Sequence, residues 1–282
     1  TNDEYILEQV DNWKNPLKSK PGYLVKGRET RVYDQLANDS ASTRLVKLKK
    51  KISQAYPAFF DSLTHGQYLL WKDDTRMVFD DGKMNKSRTK LINQPDIEDQ
   101  FYYTYPQGSN FSPPPELYSD PGRIRYEPFF KKMYGCTRKE VRNNLKYIEW
   151  LPSHQTKKLL FNTVNGAADS LQAVSRELDR LDEELKKFVI NPAGTFNWRK
   201  ISGTDRMSMH AFGIAIDINT DYANYWRWDL KDPTDSLAYQ NQIPEQIVHV
   251  FEKHGFIWGG KWYHYDTMHF EFRPELLVEV NN

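Results

Sequence analysis

The stretch Ser208-Met209-His210-Ala211-Phe212-Gly213-Ile214-Ala215-Ile216-Asp217 constrains this chain more than any other. Its second half alternates like a half-buried strand: Ile214, Ile216 and Ile218 take one face, and Gly213, Ala215 and Asp217 the other. A carboxylate that follows two small residues on one strand face sits on an open floor, where another group can approach the backbone. Near the C-terminus, Asp266-Thr267-Met268-His269 leads through a similar segment, with Phe270 and Phe272 on one face and His269 and Glu271 on the other. Two histidines and one aspartate supply three protein ligands. With water in the fourth position, such a set makes a catalytic rather than a structural zinc site. His210, Asp217 and His269 are therefore the expected ligands. Taken singly, a strand histidine is most often a hydrogen-bonded core residue and a strand-end aspartate a turn former, so the expectation rests on their combination.

Together, Ser-x-His-x-x-Gly-x-Ala-x-Asp and Asp-x-x-His resemble the motifs of the zinc D-alanyl-D-alanine carboxypeptidases and L-alanyl-D-glutamate peptidases of bacterial cell walls, which include VanX- and VanY-like enzymes and phage endolysin peptidases. The resemblance runs from about Gly194 to Arg273. It implies His210, Asp217 and His269 as zinc ligands and Asp266 as general base. It also implies an arginine ahead of the first motif that steadies the substrate carbonyl: Arg199 in Gly194-Thr195-Phe196-Asn197-Trp198-Arg199 fits best, with Arg206 second. Ser208 is expected to contact substrate. Trp258 and Gly259, in the turn Trp258-Gly259-Gly260-Lys261-Trp262, correspond to a Gly-rich, Trp-containing turn that forms one wall of the family's cleft.

Other site arrangements carry less. His264 lies five residues before His269 and could compete as a ligand, but an odd separation puts the two on opposite strand faces, so it is expected behind the ligands or at the rim. Glu271 shares the face of His269 and could be a ligand or orient an imidazole, the second being the expectation. No His-Glu-x-x-His occurs, which argues against helix-borne zinc proteases, and neither Gly-x-Ser-x-Gly nor a P-loop is present.

Lys+Arg of 39 against Asp+Glu of 38 leaves no global field to recruit nucleic acid or an anionic membrane. Cys136 is the only cysteine, which excludes an intramolecular disulfide and cysteine-pair metal sites. No apolar run approaches a transmembrane segment. Thr1-Asn2-Asp3-Glu4 reads as neither a signal peptide nor an initiator, so the chain is expected to start after a processing or cloning cut. A cell-envelope location, periplasmic or secreted, follows from the resemblance alone. Aromatics at 14% suit ordinary packing, or a groove that stacks on sugars.

Along the chain, residues 1 to about 50 are polar and end in Lys47, Lys49, Lys50 and Lys51, read as a solvated helix face. Residues 56–130 read as irregular β structure, with an Asp-Gly turn in Phe79-Asp80-Asp81-Gly82-Lys83 between two strands. Pro113-Pro114-Pro115 makes a stiff loop. The tight turn Asp120-Pro121-Gly122 carries Arg123 and Arg125 on one face of an extended segment; such a pair can grip a carboxylate, though salt bridges are its commoner use. From Ser153 to about Phe188 apolar residues recur at helical steps, with Gly166 a weak point. Pro244 to His254 reads as a short helix closed by Gly255.

The expected architecture is α+β: a small, mainly antiparallel sheet carrying a zinc (Zn2+) site, packed on helices, behind a less regular N-terminal region. Residues 1–150 form that region and 151–282 the zinc peptidase catalytic domain. The implied activity is hydrolysis of peptidoglycan stem peptides as a D,D- or L,D-carboxypeptidase, with muropeptides as partners. The rival readings are a catalytically inactive cell-wall-binding protein that keeps the zinc fold, and a metal-free groove for nucleic acid or polysaccharide.

Overall fold

The computed structural model describes residues 41–60, 67–154, 157–230 and 237–280; the polar stretch over 1–40 lies outside them. Helix α1 (Ala41–Ala55) is followed by the strands β1 (Tyr68–Leu70) and β2 (Arg76–Val78) and by helices α2 (Arg88–Asn93), α3 (Glu127–Tyr134) and α4 (Arg138–Asn143). Then come β3 (Leu145–Glu149), β4 (Lys158–Asn162), α5 (Ala167–Leu178) and α6 (Glu183–Lys186). The last part holds β5 (Ala215–Asp217), α7 (Trp226–Asp229), α8 (Glu245–Lys253), β6 (Phe256–Trp258) and β7 (His269–Phe272). The strands form two antiparallel pairs, β1–β2 and β3–β4, and an antiparallel sheet in the order β5–β7–β6. The class is α+β, as expected.

Strand β7 is central in its sheet and buried along its whole length. Phe270 and Phe272 face the core, where Phe270 stacks on Phe251 of α8 at 3.8 Å between ring centroids and Phe272 meets Phe256 edge-on at 5.3 Å. Burying one such ring stabilises by about 1.5–3 kcal/mol, whereas each net backbone hydrogen bond adds about 0.5–1.5 kcal/mol. Strands of three and four residues make few such bonds, so the aromatic face holds this sheet. Helix α5 packs on β3, β4 and α8 and backs the assembly. Ile247, Val248, Val250 and Phe251 of α8 are buried, and Gly255 beyond its end has φ 88°, which matches the sequence expectation.

Three local expectations need correction. The continuous helix from Ser153 to Phe188 does not form. Lys158–Asn162 pairs as β4 with β3, and left-handed Asn165 (φ 57°) and Gly166 (φ 71°) precede the helix at Ala167. A short apolar run reads as well for strand as for helix. Leu171, Val174 and Leu178 do form the buried stripe of α5, while Leu185 belongs to the separate α6. The β1–β2 turn lies at Trp71–Thr75, where Trp71 N–H donates to the Thr75 carbonyl, and not at Asp81-Gly82. Asp80 and Asp81 instead accept from the backbone N–H of Gly82 and Lys83 in side-chain turns after β2. Finally, Lys49 does not face solvent: it is buried, its ammonium 5.3 Å from the centre of the Phe79 ring.

Candidate metal centre

Gly213 accounts for the shape of the first motif. His210 lies in the 3₁₀ turn Met209–Phe212, and Gly213 ends that turn at φ 67°, donating its N–H to the His210 carbonyl at 3.0 Å. The left-handed residue turns the chain from His210 into β5. Strand β5 then pairs with β7 in the register Ala215↔Glu271 and Asp217↔His269. The cross-strand partner of Asp217 is thus His269, and the turn brings His210 to the same place.

The remaining contacts fix which atoms face inward. His210 Nδ1 lies 2.6 Å from the Thr195 carbonyl, so that nitrogen carries the hydrogen and Nε2 faces the cluster. His269 Nε2 lies 2.9 Å from Glu271 Oε1, which leaves Nδ1 facing inward. His269 Nδ1 is 2.8 Å from Asp217 Oδ1 and 3.2 Å from His210 Nε2, and His210 Nε2 is 3.1 Å from Asp217 Oδ2. One donor atom from each of the three residues lies within 4.8 Å of the others. Three lone-pair-bearing groups converging this closely suit a cation. Burial acts to lower the pKa of His269, but its hydrogen bonds to Asp217 and Glu271 outweigh burial and push it up to about 10. Burial acts to raise Asp217, but His210 and His269 outweigh it and hold the carboxyl well below the usual range. Two imidazoles and a carboxylate are a donor set that suits zinc. The Asp217 side chain is 25% exposed against 5% for His210 and 10% for His269, so the cluster opens on the aspartate side.

Behind His269 stands Glu271, which orients the imidazole as the sequence suggested. Its carboxylate is fully buried and is paired with Arg125, with Arg273 Nη1 at 3.5 Å. Burial acts to raise Glu271, but Arg125 and His269 outweigh it and hold it below the usual range. Arg125 was singled out in the sequence only as one of a pair; its partner lies 146 residues away, and no local signal names it.

Asp266 is half-buried at the turn before β7, its Oδ1 buried without a hydrogen-bond partner. Burial pushes its carboxyl up to about 6, against the pull of His269, while Asp217 adds to the rise and Arg123 and His210 oppose it. Asp266 therefore stands in the field of the cluster as a group able to exchange a proton near neutrality. Gly259 holds that turn close: a Cβ there would lie 2.5 Å from the Asp266 carbonyl oxygen.

Other expected residues fall elsewhere. Arg199 is exposed and its guanidinium reaches the Lys200 carbonyl at 3.4 Å; no described contact joins it to the cluster. Arg206 is half-buried, in a small cleft with Arg125, Glu127 and Met207. Ser208 is buried at the start of the His210 turn, and its side chain does not cap it. Trp258 is buried with its indole N–H on the Thr267 carbonyl at 2.8 Å, and Gly259 is enclosed beside it, its carbonyl accepting from the Asp266 N–H at 3.0 Å. His264 is held by Asp120, 2.7 Å from its Nδ1, apart from the three-residue cluster.

Residues 202–272 match the family model described as D-alanyl-D-alanine carboxypeptidase. The resemblance drawn from the two motifs is thus borne out over that segment. Neither the comparison with curated proteins nor that with solved structures found a match.

Proposed function

We propose that this protein is a zinc metallopeptidase that hydrolyses peptidoglycan stem peptides in the cell envelope, acting as a D,D- or L,D-carboxypeptidase. The observation that carries the reading is the convergence of His210 Nε2, His269 Nδ1 and Asp217 beside Asp266, a carboxylate with a free acceptor oxygen. His210, Asp217 and His269 would hold the metal. Zinc, when bound, polarises a peptide carbonyl and lowers the pKa of water to about 7. Asp266 accepts the proton from the attacking water and passes it to the leaving amine. Thr195 and Glu271 keep the two imidazoles in the required tautomers. The exposed Arg199 finds no geometric support as the oxyanion partner that the resemblance implies.

The test is digestion of purified muropeptides by the zinc-loaded protein, with products identified by mass. The expected result is about one zinc per chain and release of a C-terminal residue from the stem. His210→Ala or His269→Ala should lose most of the zinc, because two protein ligands remain. Full zinc in both variants would overturn the ligand set. A zinc-loaded wild type that binds muropeptides and cleaves none would move the protein to the cell-wall-binding reading.

A further inference from the structure

Among the described residues, Tyr147 and Trp228 are the aromatic side chains most open to solvent, at 66% and 62%. A single exposed aromatic ring is ordinary on a protein surface, and Tyr147 on β3 is such a case. Trp228 is not. Its ring meets the half-buried ring of Tyr225 edge-on at 5.5 Å, and Tyr225 meets Trp226 at 6.2 Å. Trp226 stands edge-on to His264 at 4.8 Å, and His264 in turn meets Tyr118 and Tyr263.

The backbone fixes where this series begins. Tyr225 is the antiparallel bridge partner of Asp266. The flanking hydrogen bonds run from Trp226 N–H to the Tyr265 carbonyl at 3.0 Å and from Thr267 N–H to the Asn224 carbonyl at 2.9 Å. That is the narrow, non-hydrogen-bonded kind of antiparallel pair, in which the two facing side chains lie close together on one face. Thr267 Oγ1 also accepts from the Asn224 N–H at 2.7 Å, and Trp228 N–H donates to the Tyr225 carbonyl at 2.8 Å. The aromatic pair is thus pinned beside Asp266 and leads from it to solvent.

The same loop carries unmet polar groups. Trp226 Nε1 and Arg227 Nε are buried donors and Asn224 Oδ1 is a buried acceptor, none with a hydrogen-bond partner among the described residues. A purely apolar occupant of the rings would leave all three unmet. A pyranose suits both features: its C–H face packs on an aromatic plane, and its hydroxyl groups each donate and accept. Asp221 and Asp229 outnumber Arg227 in this loop, so an anionic surface is not favoured.

We infer that Tyr225 and Trp228 form a saccharide subsite that holds the glycan end of a muropeptide while its peptide reaches the candidate metal cluster. This rests on the peptidase reading above and names a second part of the substrate that the chain recognises. An extended peptide covers about 3.3–3.6 Å per residue, so a stem of a few residues joins a sugar on these rings to a bond at the cluster.

The test uses the metal-free full chain and chitotetraose, an N-acetylglucosamine oligosaccharide without peptide, with calorimetry as the readout. Wild type should bind it with a dissociation constant on the order of 0.1–1 mM. Trp228→Ala should weaken binding on the order of tenfold, and Trp228→Phe, which keeps a ring, should retain part of it. Tyr147→Ala removes an equally exposed ring elsewhere and should bind as wild type does. No binding by wild type, or unchanged binding in Trp228→Ala, overturns the subsite. So does Trp228-dependent binding of a free stem peptide without sugar, which would make the rings a peptide subsite. With zinc-loaded wild type, KM should be lower for disaccharide-bearing muropeptide than for the free stem peptide. Cleavage of both with equal KM overturns the subsite and leaves the peptidase reading in place. Trp228-dependent binding of chitotetraose with no cleavage of any stem peptide overturns the peptidase reading and leaves the subsite standing.

Discussion

Asp266 Oδ1 is buried and unpartnered, while both oxygens of Asp217 lie against histidines. The two carboxylates should therefore separate on mutation. Asp266→Asn should keep zinc content and melting temperature near wild type while cleavage falls on the order of 10²–10⁴-fold, since an amide accepts no proton. Asp217→Ala should lose zinc and activity together. Loss of zinc from Asp266→Asn would make Asp266 a ligand instead. Gly213 allows a different check: at φ 67° an alanine pays for the left-handed backbone, about 1–2 kcal/mol, and its Cβ would meet Leu145 Cδ2 at 2.6 Å. Denaturant unfolding of Gly213→Ala should show at least that loss. Arg199→Lys should change turnover less than threefold, roughly, because its exposed guanidinium holds only a neighbouring carbonyl. At this scale the convergence of His210, Asp217 and His269 was legible because strand alternation and the spacing within each motif are local. The partners of the arginines were not, because Arg123 and Arg125 find theirs 141 and 146 residues away.

At the scale of elements, β7 is buried on both faces, and its polar face survives there through a chain of pairs, His269 to Glu271 to Arg125. Removing one member leaves an uncompensated buried charge, so Arg125→Leu should destabilise by about 3–5 kcal/mol, and the Arg125→Leu/Glu271→Leu double variant should recover much of that. Additive losses in the double variant would show that the pair is not coupled. The turn at Asp120 behaves as a second polar element. Burial acts to raise Asp120, but His264 and the arginines 123 and 88 outweigh it and hold the carboxyl below the usual range; burial lowers His264 despite Asp120. Both groups have folded pKa values below their unfolded ones. Their stabilisation is present above those unfolded values, about 6.5 for His264 and 3.9 for Asp120, and is lost as pH falls below them. Melting temperature should fall on acidification in two stages, and Asp120→Asn should flatten the lower one. The strand character of Lys158–Asn162 was the least legible element. Its run of Leu159, Leu160 and Phe161 fits either period, and the choice comes from pairing with β3.

Across the whole molecule, one hydrophobic cluster draws on residues from Ile52 and Tyr56 through Phe129, Trp150 and Phe161 to Phe270 and Phe272. Polar contacts cross the same distance. Tyr56 donates to Glu275 at 2.5 Å, Arg273 donates to the Gly122 carbonyl at 3.0 Å, and Arg125 pairs with Glu271. The sheet that carries Asp217 and His269 was legible as a local motif. That the preceding half of the chain completes its core was not, because the aromatic residues of 56–130 have no periodicity that names their partners. Dividing the chain at 150/151 would separate β3 from β4, take Arg125 from the buried Glu271 and take Tyr56 from Glu275. Each of the last two losses leaves a buried carboxylate short of a partner, at about 1–3 kcal/mol or more apiece, against a total stability of about 5–15 kcal/mol. Exposure of Phe161, Phe212 and Phe270 on the cut face would add to the deficit. A fragment of residues 151–282 is therefore expected to show no cooperative melting and no stoichiometric zinc uptake, whereas a chain beginning at residue 41 should show both. A fragment 151–282 that melts cooperatively and holds one zinc would mean that the catalytic half folds alone, and the contacts of Arg125 and Tyr56 would then serve docking of the first half rather than the integrity of the site.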